Sequence, residues 1–294
     1  MVARPHCEIT YKEKERKNLS KDQYDVTMSH FPNALRVKLQ GEGEPFLNDM
    51  LHELIEETCL KGVWCEVVTN GSILDLERLK PLERFKNFQL VFSFDAAYKT
   101  TFEKIRVGSN FEKILGNIGA VTQQTTIPVT EWMMLQGENN DQAEDVIRLL
   151  ASKKVQSLGI QRLYLDFDKT AEMRSLKTGG KWIKQPLSKS AYPALKKIAK
   201  RCGMKLSISD KLYTKEHICP WPWMGVFVDT AGNIVPCCRI EDAVVCKMGN
   251  LNERDMDEIW DSEAYRDFRR KHITHDLPEY CADCYADATQ SDKP

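Results

Sequence analysis

"ALRVKLQGEGEPFLNDMLHELIEETCLKGVWCEVVTNG", residues 34–71, holds one complete strand–helix–strand unit. Its first run, "ALRVKLQG" (34–41), alternates apolar and polar residues as a half-buried strand does. The middle changes period. Met50, Leu51, Leu54, Ile55 and Cys59 recur at three and four, which gathers them on one face of a helix. Gly62 follows as a stop, and "VWCEVVTNG" (63–71) returns to strand composition. A helix of this length between two strands is the crossover that parallel pairing requires.

The same rhythm continues down the chain. Strands are expected at "FQLVFSFDA" (88–96), "TIPVTEWMML" (126–135), "RLYLDF" (162–167) and "MKLSIS" (204–209). Between them "NFEKILGNIGA", "DQAEDVIRLLASKK" and "SAYPALKKIAKRCG" carry helical spacing. Repeated βα units imply a parallel sheet with both faces covered, so the fold class is α/β, as a barrel or an open sheet. Residues 168–187, "DKTAEMRSLKTGGKWIKQPL", read as an exposed loop. Near residue 210 the rhythm stops. A hairpin over 225–238, turning at "DTAG", and one amphipathic helix over 256–272, "MDEIWDSEAYRDFRRKH", follow. The expected domains are therefore 1–212 and 213–294.

The 294 residues are 42% apolar, enough for a sizeable core, and the formal net charge of -1 gives no general attraction to nucleic acid or a membrane surface. No apolar run reaches bilayer-spanning length, and the first twenty residues lack an apolar signal-peptide core. The expected location is cytoplasmic, with neither nucleic acid nor membrane as a partner.

Ten cysteines in a reducing compartment do not make a disulfide framework. Cys59, Cys65 and Cys202 are scattered and read as small buried residues. Six others, Cys219, Cys237, Cys238, Cys246, Cys281 and Cys284, crowd the last quarter. Cys219 precedes Gly232 by a twelve-residue gap, Gly232 precedes Cys237 by four, and Cys281 and Cys284 form a CxxC. A tight turn at Gly232 folds Cys237 back toward Cys219, and the helix returns the CxxC to the same corner. Four convergent thiolates suit zinc or an iron–sulfur cluster equally on chemistry alone. Cys238 alternates away from Cys237 on the strand, and Cys246 falls outside the spacing.

This tail, C-x12-G-x4-C followed by the helix and "PEYCADCY", resembles the auxiliary-cluster domain of radical SAM enzymes, the SPASM group and its shortened twitch form. The resemblance implies one auxiliary 4Fe–4S cluster on Cys219, Cys237, Cys281 and Cys284. The first half resembles the same superfamily independently. "VKLQGEGEPFL" (37–47) is similar to the Gly-Gly-Glu-Pro motif that grips the ammonium group of S-adenosyl-L-methionine (SAM), with Glu42 in place of the first glycine and Gly43, Glu44 and Pro45 in register. "TNG" (69–71) closes the next strand. "SFDAAYKTTFEKIRVGSNFEKILGNI" (93–118) resembles the Ser-x-Asp strand end near the SAM ribose, followed by an Arg-x-Gly run. Carried over residue by residue, this implies cofactor contact for Gly43, Glu44, Pro45, Thr69, Asn70, Ser93 and Asp95, while Arg106 fixes local structure.

One motif is incomplete. A radical SAM core holds its SAM-reducing cluster on C-x3-C-x2-C, and this sequence offers Cys7 in the third position, with Arg4 in the second. The expected architecture is a partial (β/α) barrel of radical SAM type lacking its first strand, followed by a small cysteine-rich hairpin-plus-helix domain. Either the start is late or the protein has lost radical chemistry. The first is favoured, and the chain alone is expected to be inactive in reductive SAM cleavage. A second 4Fe–4S cluster would need the missing cysteines. The implied activity is reductive SAM cleavage and hydrogen abstraction from a peptide, sugar or other small substrate, served by an electron donor such as flavodoxin or ferredoxin. The alternatives are a non-catalytic SAM- or peptide-binding barrel and a zinc-stabilised interaction domain.

Overall fold

Six strands, β1 (Arg36–Leu39), β2 (Trp64–Thr69), β3 (Phe88–Ser93), β4 (Val129–Leu135), β5 (Ser157–Arg162) and β6 (Lys205–Ser209), form one parallel sheet in sequential order. Parallel crossovers are right-handed. When neighbours in sequence are also neighbours in the sheet, that handedness places every connecting helix on one face, the arrangement of an α/β barrel. Side-chain burial agrees. Val67, Phe92 and Met133 face one way, into a core with Ile55, Ile114 and Ile147 from the helices Leu51–Leu60, Phe111–Gln124 and Ala143–Ser152. Each such side chain, fully buried, contributes about 1.5–3 kcal/mol. The opposite face carries Lys38, Glu66, Gln89 and Trp132, which touch one another.

These coordinates come from a computed structural model that describes residues 17–41, 43–162, 189–209, 213–282 and 284–285. Arg4, Cys7, Glu42 and the expected 168–187 loop lie outside the described residues.

Two elements differ from the sequence reading. The fifth strand is Ser157–Arg162, ahead of the expected 162–167, of which residues 163–167 lie outside the described set. Gly159 interrupts the run "SLGIQR" and weakens its strand signal. It nevertheless pairs in register with Trp132 on one side and Ser207 on the other, and a Cβ there would meet both only at ordinary contact distances, 3.7 Å and 3.4 Å. The expected single helix over 256–272 is two, Met256–Trp260 and Glu263–Thr274. Ser262 adopts an extended conformation and its Oγ accepts from Tyr265 N at 3.3 Å, so a new N-cap breaks the helix.

Compact packing divides the chain into two units. The sheet unit includes residues 35–210, and the second unit joins residues 17–34 to residues 211–294. In the second unit β7 (Phe227–Val228), β8 (Asn233–Val235) and β9 (Gly249–Asn250) form an antiparallel sheet. The expected hairpin turns at Asp229–Gly232, with Gly232 at φ 79°, a conformation that suits glycine. Helix Lys21–Ser29, capped by Ser20, reaches this turn: Gln23 Oε1 accepts from Asn252 Nδ2 at 3.1 Å, and Asn252 also donates to Ala231 O.

A Cβ on Gly232 would fall 2.5 Å from Asn252 Nδ2 and 2.8 Å from Gln23 Nε2. Gly232→Ala should therefore lower stability by about 1–3 kcal/mol. Gly116→Ala, in helix Phe111–Gln124 with nothing within 4 Å, is the control and should be neutral or stabilising. Equal melting temperatures for the two variants would refute this account of the turn.

Candidate functional site

All the C-terminal strand ends of a parallel sheet open on one side, where ligands meet the loops. At the end of β1, Glu44 turns toward β2. Its Oε1 accepts from Thr69 Oγ1 at 2.6 Å and Phe46 N at 3.2 Å, and its Oε2 accepts from Asn70 N at 2.8 Å. Three of the expected residues thus meet, and the carboxylate joins two strand ends. Burial raises the Glu44 pKa, while the donations from Thr69, Asn70 and Phe46 work against that rise. Pro45 begins the single turn Pro45–Leu47 that Glu44 caps. Gly43 is exposed, and a Cβ there would meet nothing within 4 Å, so its backbone stands open to a ligand.

At the end of β3 the polar residues face inward. Asp95 is buried: Oδ1 accepts from Met134 N at 2.8 Å, and Oδ2 lies 2.7 Å from Arg106 Nη2. Asn139 Nδ2 donates to Asp95 O at 2.5 Å and Met134 O at 2.8 Å, completing a clasp between the β3 and β4 ends. Asp95 therefore works on the chain itself, and Arg106 fixes local structure as its position implied. Ser93, half-buried, pairs in register with Trp132.

Glu131 was missed by the sequence reading. It is fully buried on β4, opposite Phe92 in the helix-facing layer, and neither carboxylate oxygen has a hydrogen-bond partner. Burial pushes its pKa well up, opposed by the positive charge of Arg106. The signal was present in period two, since Val129, Glu131 and Met133 share one face of the strand. The inner face holds another unforeseen group. Lys38 Nζ pairs with Glu66 Oε1 at 2.9 Å and lies 5.4 Å from the Trp132 ring centroid, and Gln89 donates to Glu66.

In the second unit Cys219 and Cys281 are buried, while Cys237 and Cys284 are half-buried. Burial, then the neighbouring Cys237, Cys284, Cys219 and Cys246, push the Cys281 thiol up, which puts these sulfurs in one corner. No three His, Cys, Asp or Glu side chains among the described residues stand in metal-holding positions. The surroundings nonetheless suit thiolates. The backbone N–H groups of Arg239 and Ile240 lower the pKa of the Cys237 thiol, and the Trp221 N–H and the Tyr213 hydroxyl lower that of Cys219, each against the rise that burial causes. Arg239 Nη1 donates to Cys284 sulfur at 3.2 Å. Buried thiols with raised pKa values lose their protons readily only to a bound cation, and such donors stabilise metal-bound sulfur. Cys246 points its sulfur at Tyr280 Oη, 3.2 Å away. The donor set fits a metal or cluster.

Residues 5–150 match the model of the radical SAM superfamily, and residues 219–285 match SPASM, an iron–sulfur cluster-binding domain. The chain belongs to the radical SAM superfamily. Its cofactors are accordingly SAM and 4Fe–4S clusters. A tungsten-containing aldehyde ferredoxin oxidoreductase cofactor-modifying protein from Pyrococcus furiosus is 24% identical, over 95% of this chain and 83% of that protein. Among solved structures, Streptococcus suis SuiB bound to S-adenosylmethionine aligns with a TM-score of 0.68 at 14% identity over 87% of this chain. This chain spans 62% of SuiB. The anSMEcpe structure with bound AdoMet and a Cp18Cys peptide aligns at 0.67 and 14% identity, over 92% of this chain and 80% of that one. The family matches and these likenesses show an α/β radical SAM fold, a six-stranded parallel sheet with helices, and a C-terminal SPASM domain.

Glu131 supplies a pH signature for this radical SAM fold. With its folded pKa raised, the native state keeps a proton that the unfolded chain releases above about pH 4.5. Stability should then fall as pH rises toward the folded pKa, by up to about 1.4 kcal/mol per pH unit. Glu131→Gln keeps the shape and removes the titration. Urea midpoints between about pH 5 and pH 8 should diverge in favour of the variant, and parallel profiles would defeat the neutral-carboxyl assignment.

Proposed function

We propose that this chain binds SAM at the C-terminal ends of β1–β3 and carries one auxiliary 4Fe–4S cluster on Cys219, Cys237, Cys281 and Cys284, serving radical chemistry on a peptide substrate. The observation that carries this reading is the closure of Glu44 onto Thr69 and Asn70, because it assembles separate cofactor motifs at one end of the sheet. When bound, SAM and a reducing 4Fe–4S cluster supply the radical that abstracts hydrogen. The chain's residues position and shield. Glu44 holds the loop so that the Gly43 backbone faces the ammonium group, and Ser93 lies toward the ribose. Pro45, Thr69, Asn70 and Asp95 keep the strand ends in place.

The inner sheet face supports a peptide. Lys38, Glu66 and Gln89 offer charge and amide hydrogen bonds, and Trp132 offers an aromatic surface. SuiB bound to its precursor peptide SuiA and the anSMEcpe peptide complex share the fold. We place the chain in the cytoplasm, where thiols stay reduced; no helix among the described residues is long and apolar enough to cross a membrane. We assign domains 1–212 and 213–294 to SAM and the auxiliary cluster, and SAM reduction to a one-electron donor and a cluster site for which this sequence supplies Cys7.

Anaerobic reconstitution with iron and sulfide tests the reading. About four iron and four sulfide per chain should be found, and Cys281→Ala should lose most of both. About one zinc without sulfide would overturn the cluster assignment. Equilibrium dialysis should show SAM bound by the reconstituted chain and affinity about tenfold or more weaker in Glu44→Ala, a loss of about 1.4 kcal/mol. Unchanged affinity would remove the Glu44 clasp from the cofactor site.

A further inference from the structure

The second unit exposes an apolar patch that the proposed chemistry leaves unused. Trp223 is 38% exposed, Met224 81% and Ile273 66%. Trp223 and Met224 end the short helix Trp221–Met224, which lies against helix Glu263–Thr274: Arg269 Nε donates to Pro222 O at 2.9 Å, and the Trp223 ring stands 6.4 Å from that of His272. Helical spacing puts Arg266, Arg269 and Arg270 on the stripe that ends at Ile273. The helix carries four cations, these three arginines and Lys271, against the two carboxylates Glu263 and Asp267. Asp267 pairs with both Arg270 and Lys271, which leaves the helix positive. Tryptophan, methionine and arginine around an apolar centre are the residues that interfaces favour.

Behind the patch lies a continuous aromatic path. His272, buried, stands 6.0 Å from the Tyr285 ring, and the buried Tyr285 hydroxyl donor–acceptor group meets Cys219 N at 2.8 Å. Three ring-bearing side chains thus lead from solvent at Trp223 to the backbone of a proposed cluster ligand. Electron tunnelling falls steeply across empty space, so contacts in series favour transfer along such a route.

We propose that Trp223, Met224 and Ile273, rimmed by Arg266 and Arg270, form the docking surface for an acidic one-electron carrier protein. The inference rests on the auxiliary-cluster reading. One electron leaves a flavodoxin hydroquinone anion, which becomes the neutral semiquinone without moving a proton, and the oxidised 4Fe–4S cluster gains that electron. Charge attraction speeds the encounter, and the apolar centre holds the complex.

The test uses flavodoxin, which contains no iron, so the iron count remains that of this chain. Reconstituted wild type is compared with Met224→Glu/Ile273→Glu and with Arg266→Glu/Arg270→Glu. Stopped-flow oxidation of flavodoxin hydroquinone should slow about tenfold or more in both variants at low salt, and the wild-type rate should fall as salt rises. Iron content and reduction by dithionite, which needs no docking surface, should be unchanged. Calorimetric titration of the chain with oxidised flavodoxin reads docking without any electron transfer, and both variants should weaken it. Wild-type rates and affinities in the variants, or no binding to wild type, would overturn the docking surface. If zinc replaces iron, the cluster reading fails, and the titration still decides the surface: weakened variant binding retains it, and unchanged binding rejects it.

Discussion

The buried ion pair of Arg106 with Asp95 ties the end of one central strand to the start of the loop that follows the next helix. Taking two charges out of water is costly, and it succeeds only when geometry and further hydrogen bonds compensate. Here the compensation comes from the strand ends. Asp95 accepts from Met134 N, Asn139 ties the Asp95 and Met134 carbonyls together, and Arg106 follows directly on helix Lys99–Ile105. One pair thereby sets the relative positions of β3, β4 and a helix terminus. Moving any of them would leave an uncompensated charge in an apolar layer. Glu131, buried with neither carboxylate oxygen hydrogen-bonded, lies within reach of the Arg106 charge, and burial holds its pKa well above the usual carboxylate range.

Rigidity at the strand ends has a chemical consequence. Glu44 performs for β1 and β2 what Asp95 performs for β3 and β4: a carboxylate accepts from the neighbouring strand end and holds it. The polar residues of these motifs are largely occupied by the protein, whereas Gly43 is exposed and Ser93 half-buried, so these two are the groups we propose for the cofactor. Such an arrangement suits the proposed binding of a cofactor through preorganised backbone. That lowers the ordering cost of binding and holds a reactive group in one place.

The second unit solves a different problem. Its apolar core is small, around Ile234, Ile259, Tyr265 and Phe268, so a short hairpin and two short helices must hold thiols drawn from distant parts of the sequence. Backbone N–H groups and Arg239 turn toward the sulfurs, and Tyr285, whose ring packs beside His272, accepts from Cys219 N through its hydroxyl. Sulfur donors, N–H groups and the degree of burial are the elements that tune a thiolate-bound centre.

Periodicity alone determined much of this protein. Strands and helices alternating in "ALRVKLQG", the Leu51–Ile55–Cys59 face and "VWCEVVTNG" specified a parallel sheet, because side-chain period follows directly from backbone geometry. The candidate cofactor residues came from the resemblance of the cysteine spacing and the strand-end motifs to those of radical SAM enzymes. Three-dimensional packing decided the rest. Gly159 is held in its strand by parallel pairing with Trp132 and Ser207 on its two sides, and Ser262 breaks a helix whose apolar spacing runs straight through it. The partners of Glu44 and Asp95, the solitude of Glu131, and the union of residues 17–34 with the C-terminal unit are contacts between segments far apart in the chain. A sequence shows which side chains alternate toward a core, but which charge meets which partner there depends on distances that only the folded chain defines.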